Sequence, residues 1–208
     1  MDSLVLDLQR DVLDRTIHIT DLLRKALLVS RKLKITDIEE WLSDELNGYQ
    51  GKPVPNYRVV GGELKGFNPY RGWIPMMLGD DINDMISVMP VFDSVSQIID
   101  LVERSETGSV MIKFSQEMSM TIMRMIGKDI EPVLHVPVHQ LVRIVDVTKT
   151  KILDFALDLE ARGILGEGIR FSRAEEQLAQ SITYHTINIQ RMDNSQIQQA
   201  SNQSNQSR

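Results

Sequence analysis

Apolar residues recur at helical spacing through the first fifty positions and again over a long stretch beginning near residue 138. Between these stretches the pattern switches back and forth between alternation and helical periodicity. Leu4, Leu8, Val12 and Leu13 predict a first helix. Thr20 and Asp21 are cap candidates for a second, whose apolar surface is Leu22, Leu23, Ala26, Leu27 and Val29. Thr36 and Glu39 have capping-box spacing ahead of Ile38, Trp41, Leu42, Glu45 and Leu46, and Gly48 is placed to stop that third helix.

At Gln50 the pattern breaks. Gly51, Pro53 and Pro55 end the helical run, and Tyr57-Arg58-Val59-Val60 reads as a strand. Gly61-Gly62 suits a turn, with Glu63 to Phe67 as the returning partner strand. After a turn at Asn68 to Gly72, Trp73 to Leu78 reads as another strand, which Pro75 confines to an edge or a bulge. Further along, a helix is expected from Asp93 to Val102, a strand from Val110 to Phe114, and a helix capped by Ser115 that ends near Gly127. Val133 to Val136 predicts a strand and about Val138 to Ala161 a long helix stopped by Gly163, with Thr148 and Thr150 weakening its middle. Ser172 and Glu175 have capping-box spacing for a last helix, and Tyr184 to Gln190 alternates like a strand.

Helices and strands intermix without regular βαβ spacing, which predicts an α+β fold. The expected architecture is an N-terminal helical hairpin or small bundle packed on a small mixed sheet, then a long C-terminal helix. Residues 1–183 form the expected globular domain and 184–208 a polar tail, either strand-forming or disordered. From Asp193 to Arg208 nearly every residue is Asn, Gln or Ser, and Ser201-Asn202-Gln203 repeats at once as Ser204-Asn205-Gln206. Such a segment has too little apolar surface to join a core, yet Asn and Gln side chains form ladders when identical strands stack.

Composition narrows the chemistry. The 208 residues carry a net charge of −6 and no cysteine, which excludes disulfides, thiol catalysis and cysteine-based zinc sites and fits a reducing cytoplasm. The acidic balance argues against nucleic acid as a general ligand. Arg24, Lys25, Arg31, Lys32 and Lys34 are expected to form a solvated helix face. The N-terminus does not read as a signal peptide, and no stretch is apolar enough to span a membrane.

No cofactor and no metal is expected. His135 and His139 are the one close histidine pair, but Pro137 between them marks a helix start, so they do not share a helix as a zinc pair requires. Asp80, Asp81 and Asp84 read as a solvated loop, and the many methionines as core filling or an adaptable groove. There is no phosphate-binding glycine loop and no nucleophile elbow. The strongest constellation is Trp41, Glu45, Tyr49, Tyr57 and Arg58. The first three share a helix face, and a strand folding back would bring Arg58 to Glu45. That is either an anion pocket, with Glu45, Tyr57 and Arg58 as weak catalytic candidates, or a buried ion pair that fixes helix to sheet.

Three runs resemble a known family: Ser3 to Arg10, Leu22 to Leu27, and Trp41 to Tyr49 followed by Val54 to Val60. Together with the helix Ile152 to Glu160 and Gly163-Ile164, they resemble the AbiTii domain from Ser3 to about Ile182, most specifically over Trp41 to Arg58. The resemblance implies a bacterial abortive-infection or toxin-like module of phage defence, and it brings no catalytic residues to carry over. Ser195 to Ser201 is also similar to the short Gln-Ile-Gln-Gln-small-Ser segments that can follow such domains, with Ala200 where glycine is expected.

Two functions follow as expectations. One is an effector or interaction module of anti-phage defence that forms a homo-oligomer through Ile187, Ile189, Gln196, Ile197, Gln198 and Gln199. The other is a nucleic-acid- or nucleotide-directed toxin enzyme with its site near Glu45, Tyr57 and Arg58. An antitoxin or adaptor binding a protein partner of the same system, through the N-terminal helices, is a third.

Overall fold

The computed structural model describes residues 3–181 and 191–192. The chain divides into two compact units. One contains Met1–Lys52, Phe92–Ile99 and Arg143–Gln190 and is helical; the other contains Pro53–Val91, Asp100–Val142 and Arg191–Arg208 and holds the sheets. The fold is α+β, as the intermixed patterning predicts. The strand-forming tail expected from Tyr184, with Ile187, Ile189, Gln196, Ile197, Gln198 and Gln199, lies outside the described residues.

In the helical unit, α1 (Leu4–Leu13) starts at Ser3, whose hydroxyl accepts from Leu6 N at 3.3 Å and donates to the Leu165 carbonyl at 2.6 Å. α2 (Ile19–Leu33) begins one residue before its expected cap, and no side chain caps it. Burial of Ile19 draws the first turn back, and Asp21 inside that turn binds Arg24 instead. α3 (Thr36–Asn47) also lacks the expected capping box. Only Lys34 and Ile35 separate it from α2, and Ile35 must be extended to bury itself, so Thr36 is already helical. Glu39 then bonds Arg31 at 2.9 Å.

The long helix (Val138–Ala161) has its expected bounds. Its Ile152, Phe155, Ala156 and Leu159 join Leu8, Leu22, Leu23, Ile38, Trp41 and Leu42 in one core. The final helix (Arg173–Gln180) carries the Ser172–Glu175 capping box in full. Where a solvated basic face was expected on α2, Arg24, Arg31 and Lys34 are exposed and Lys25 and Lys32 half-buried, with Lys25 meeting Asp11 at 2.6 Å and Lys34 meeting Glu176 at 2.8 Å.

In the sheet unit, β1 (Val54–Pro55) leads into a 3-10 turn (Asn56–Arg58) and then β2 (Val59–Gly61). Tyr57 and Arg58 are therefore in a turn and not in the expected strand. Arg58 is wholly buried, and its Nη1 donates to the Val91 carbonyl at 3.2 Å while its own carbonyl accepts from Val91 N at 2.9 Å. The turn itself is closed by Val59 N, which donates to the Asn56 carbonyl just after Pro55. β3 (Glu63–Asn68) does not return on β2; it pairs with β4 (Gly72–Pro75) on one side and with a later strand on the other. β2 instead pairs with β5 (Val88–Pro90), after the short helix α4 (Asp80–Ile86) that occupies the expected acidic loop. The Gly79 carbonyl starts that helix by accepting from Ile82 N and Asn83 N.

After α5 (Val95–Glu103) come β6 (Ser109–Lys113), α6 (Gln116–Ile126) and β7 (Pro132–Pro137); the long helix is thus α7 and the last α8. The main sheet has the order β4-β3-β7-β6, with Pro75 ending an edge strand as expected. Every pair of named strands is antiparallel, where a mixed sheet was the expectation. α6 is capped by Ser115 and stopped by left-handed Gly127, and its Met118, Ile122 and Ile126 cover Leu64 and Met76. Core filling accounts for Met76 and Met118, but Met77, Met85, Met111, Met120 and Met125 stand exposed. Arg191–Met192 forms β8, which pairs with β1.

Candidate functional site

Trp41, Glu45 and Tyr49 share one face of α3 and its exit, as their four-residue spacing requires, and all are buried. The carboxylate is held at both oxygens. Tyr49 Oη donates to Glu45 Oε1 at 2.7 Å, and Thr148 Oγ1, on α7, lies 3.3 Å from Oε2 and 2.9 Å from the Ile144 carbonyl. Burial lowers the pKa of the nearby Lys151 ammonium, while Asp154 and Glu45 act to raise it. Glu45, Tyr49 and Thr148 thus form a buried, hydrogen-bonded network inside a helical core. Such a network positions α3 against α7, because leaving any member unpaired in an apolar surrounding is costly.

Beside it, Asp44 Oδ1 meets Lys52 Nζ at 2.5 Å, and its buried Oδ2 has no hydrogen-bond partner among the described residues. Tyr57 and Arg58 sit in the 3-10 turn of the sheet unit, whereas Glu45 belongs to the helical unit. Thr148 is the member that sequence reasoning missed. Its signal is its phase: it occupies the buried stripe Leu141, Ile144, Thr148, Ile152, Phe155 of α7, where a lone polar residue calls for a buried partner.

The histidine pair is separated as expected, His135 on β7 and His139 on α7. The His135 ring packs edge-on against Trp73 with centroids 4.6 Å apart. Burial, then the neighbouring Lys65, lower its pKa below the usual imidazole range, against the opposing pull of Glu63. Among the described residues, no group of three or more His, Asp or Glu side chains is placed to hold a metal ion.

The Glu175 carboxylate accepts four hydrogen bonds. Oε1 accepts from Leu165 N at 3.0 Å and Gly166 N at 2.8 Å, and Oε2 from Ser172 N at 2.7 Å and Ser172 Oγ at 2.8 Å. Burial pushes this carboxyl up, but the bonds from Ser172, Gly166 and Leu165 outweigh it and hold the group below the usual range. The stabilisation is therefore present above the unfolded glutamate's pKa and is lost as pH falls through the lower folded value. Glu175→Gln is expected to lose about 1–2 kcal/mol at neutral pH. Thermal melts across the acid range check this: the gap between variant and parent should close below pH ~4, and a gap constant with pH would contradict the assignment.

Compared with known proteins, residues 3–184 match the family model AbiTii. No curated protein and no solved structure matches the chain.

Proposed function

The chain belongs to the AbiTii family, which points to abortive-infection defence, and from that premise we propose that it is an effector or interaction module that assembles through its C-terminal tail. The observation that carries the proposal is where the family match stops. It ends at residue 184, where the alternating segment Tyr184 to Gln190 begins and runs into the Asn/Gln/Ser-rich tail. A folded body followed by a ladder-forming polar segment is the layout of a protein whose local concentration controls its state. One such strand has nothing to pack against, but many brought together do. The buried, mutually bonded placement of Glu45, Tyr49 and Thr148 supports a structural role for that constellation.

The test is growth of a bacterial host on induced expression of the full chain and of a chain ending at Thr186, with soluble yield and melting temperature compared in parallel. The full chain is expected to arrest growth and the soluble truncation to leave it unaffected. Equal arrest by both would place the activity in the folded body and overturn tail-driven assembly. In that case Glu45→Gln and Arg58→Ala, compared at equal soluble yield, would ask whether the body is a toxin enzyme.

A further inference from the structure

One face of the main sheet packs on α6; the other carries exposed rings and a methionine around the buried Val133. Alternation along β3 sends Leu64 into the core with Ile122 of α6 and puts Glu63, Lys65 and Phe67 on the opposite face. Register sets Glu63 beside His135, which is itself beside Met111. It likewise aligns Lys65 with Val133 and Lys113, and Phe67 with Trp73. Three rings meet on this face. Phe67 and Trp73 have centroids 5.3 Å apart at 68°, and Trp73 and His135 4.6 Å apart at 67°. Trp73 is on β4 and His135 on β7, with β3 between them, so the indole lies across the sheet. Although they touch one another, Phe67 remains 54%, Trp73 40% and Met111 55% exposed.

Cations are at hand for an anion: Lys65 and Lys113 lie on this face by register, and Arg71 is an exposed residue of the turn joining β3 to β4, in a chain of net charge −6. Lys65 meets Glu63 at 2.8 Å and Lys113 meets Glu131 at 3.3 Å, and in each pair the acid is well exposed. The Lys113 pair is solvent-exposed and contributes little, so Lys113 can turn to a phosphate at small cost, while Lys65 is half-buried. Exposed rings on an antiparallel sheet, with lysines between and beside them, are the chemistry that takes unpaired bases: the π-faces stack and the cations follow the backbone. A duplex cannot use it, because its bases are already stacked on each other. An uncharged apolar partner would leave the lysines unused.

We propose that this sheet face binds single-stranded nucleic acid, with bases stacking on Trp73, Phe67 and His135 and phosphates near Lys65, Lys113 and Arg71. The site lies wholly in the sheet unit and does not depend on the tail. It is a local site on a chain whose overall charge disfavours general nucleic-acid binding.

The chain has two tryptophans, and Trp41 is fully buried, so fluorescence quenching on titrating the full chain with an unstructured oligouridine or oligothymidine reports on Trp73. Quenching that weakens with salt is expected, with a blunt duplex of equal length binding far more weakly. In anisotropy with a labelled oligomer, Trp73→Ala should weaken affinity about tenfold or more, while Trp73→Phe retains most of it. Lys113→Ala, at a side chain 72% exposed and so without cost to folding, should flatten the salt dependence. The proposal is overturned by absence of both quenching and anisotropy change, by affinity that Trp73→Ala and Lys113→Ala leave unaltered, or by equal binding of the duplex.

Discussion

Glu45→Ala is expected to lose about 3–5 kcal/mol of folding stability, seen as a lower denaturant midpoint at unchanged slope. The loss has two parts. Truncation leaves a void in a core in which Glu45 and Trp41 are fully buried. It also removes the acceptor of the Tyr49 hydroxyl bond at 2.7 Å and the 3.3 Å contact of Thr148, whose hydroxyl keeps its bond to the Ile144 carbonyl. Losing a buried hydrogen bond costs about 1–3 kcal/mol, and Lys151 loses the favourable field of a carboxylate in the same step. Glu45→Gln keeps the volume and an acceptor for Tyr49, so it should lose less than half as much. A loss of under about 1 kcal/mol for the alanine variant would mean that the network does not hold α3 to α7.

Gly48→Ala should be comparably damaging for a different reason. Gly48 ends α3 at φ +90° and ψ 162°, a region that only glycine occupies comfortably. A Cβ there would also stand 2.8 Å from the Phe92 carbonyl oxygen and 3.3 Å from Ser94 N, both backbone atoms that cannot turn away. Strain of about 1–3 kcal/mol adds to displacement of that segment, for an expected total of about 3 kcal/mol or more. Gly163→Ala is the control. It has φ +72° but nothing within 4 Å of its added Cβ, so it should show the conformational part alone, about 1 kcal/mol. Equal losses at the two glycines, measured by urea unfolding, would refute the steric account.

Elements whose ends are set by their own side chains were legible in the sequence. α6 between Ser115 and Gly127, α7 from Val138 to Ala161, and α8 with its Ser172–Glu175 box are of this kind. Those set by distant burial were not. Ile19 and Ile35 move the starts of α2 and α3 because each must reach the core, and no local cap signal records that. Tyr57 and Arg58 read as strand by composition, but they lie in a 3-10 turn closed by Val59 N on the Asn56 carbonyl, and Arg58 is buried against Val91, far along the chain. Strand partnership was least legible of all: β2 with β5 and β3 with β7 are choices among equally alternating segments. For the site, the shared face of Trp41, Glu45 and Tyr49 followed from spacing alone, whereas Thr148 required reading the phase of a helix regarded only as weakened there. The aromatic sheet face escaped because its rings come from three strands, and only the register assembles them.

The exposed methionines carry one more consequence. With no cysteine in the chain, thioethers are its only sulfur, and Met77 at 89%, Met111 at 55% and Met125 at 44% exposure are open to oxidants while Met76 at 7% is shielded. Oxidative stress would therefore write a graded, repairable mark on the surface of the sheet unit before touching its core, each sulfoxide replacing a greasy contact with a polar, chiral one. At Met111 that mark would fall directly beside His135, on the face where the rings gather.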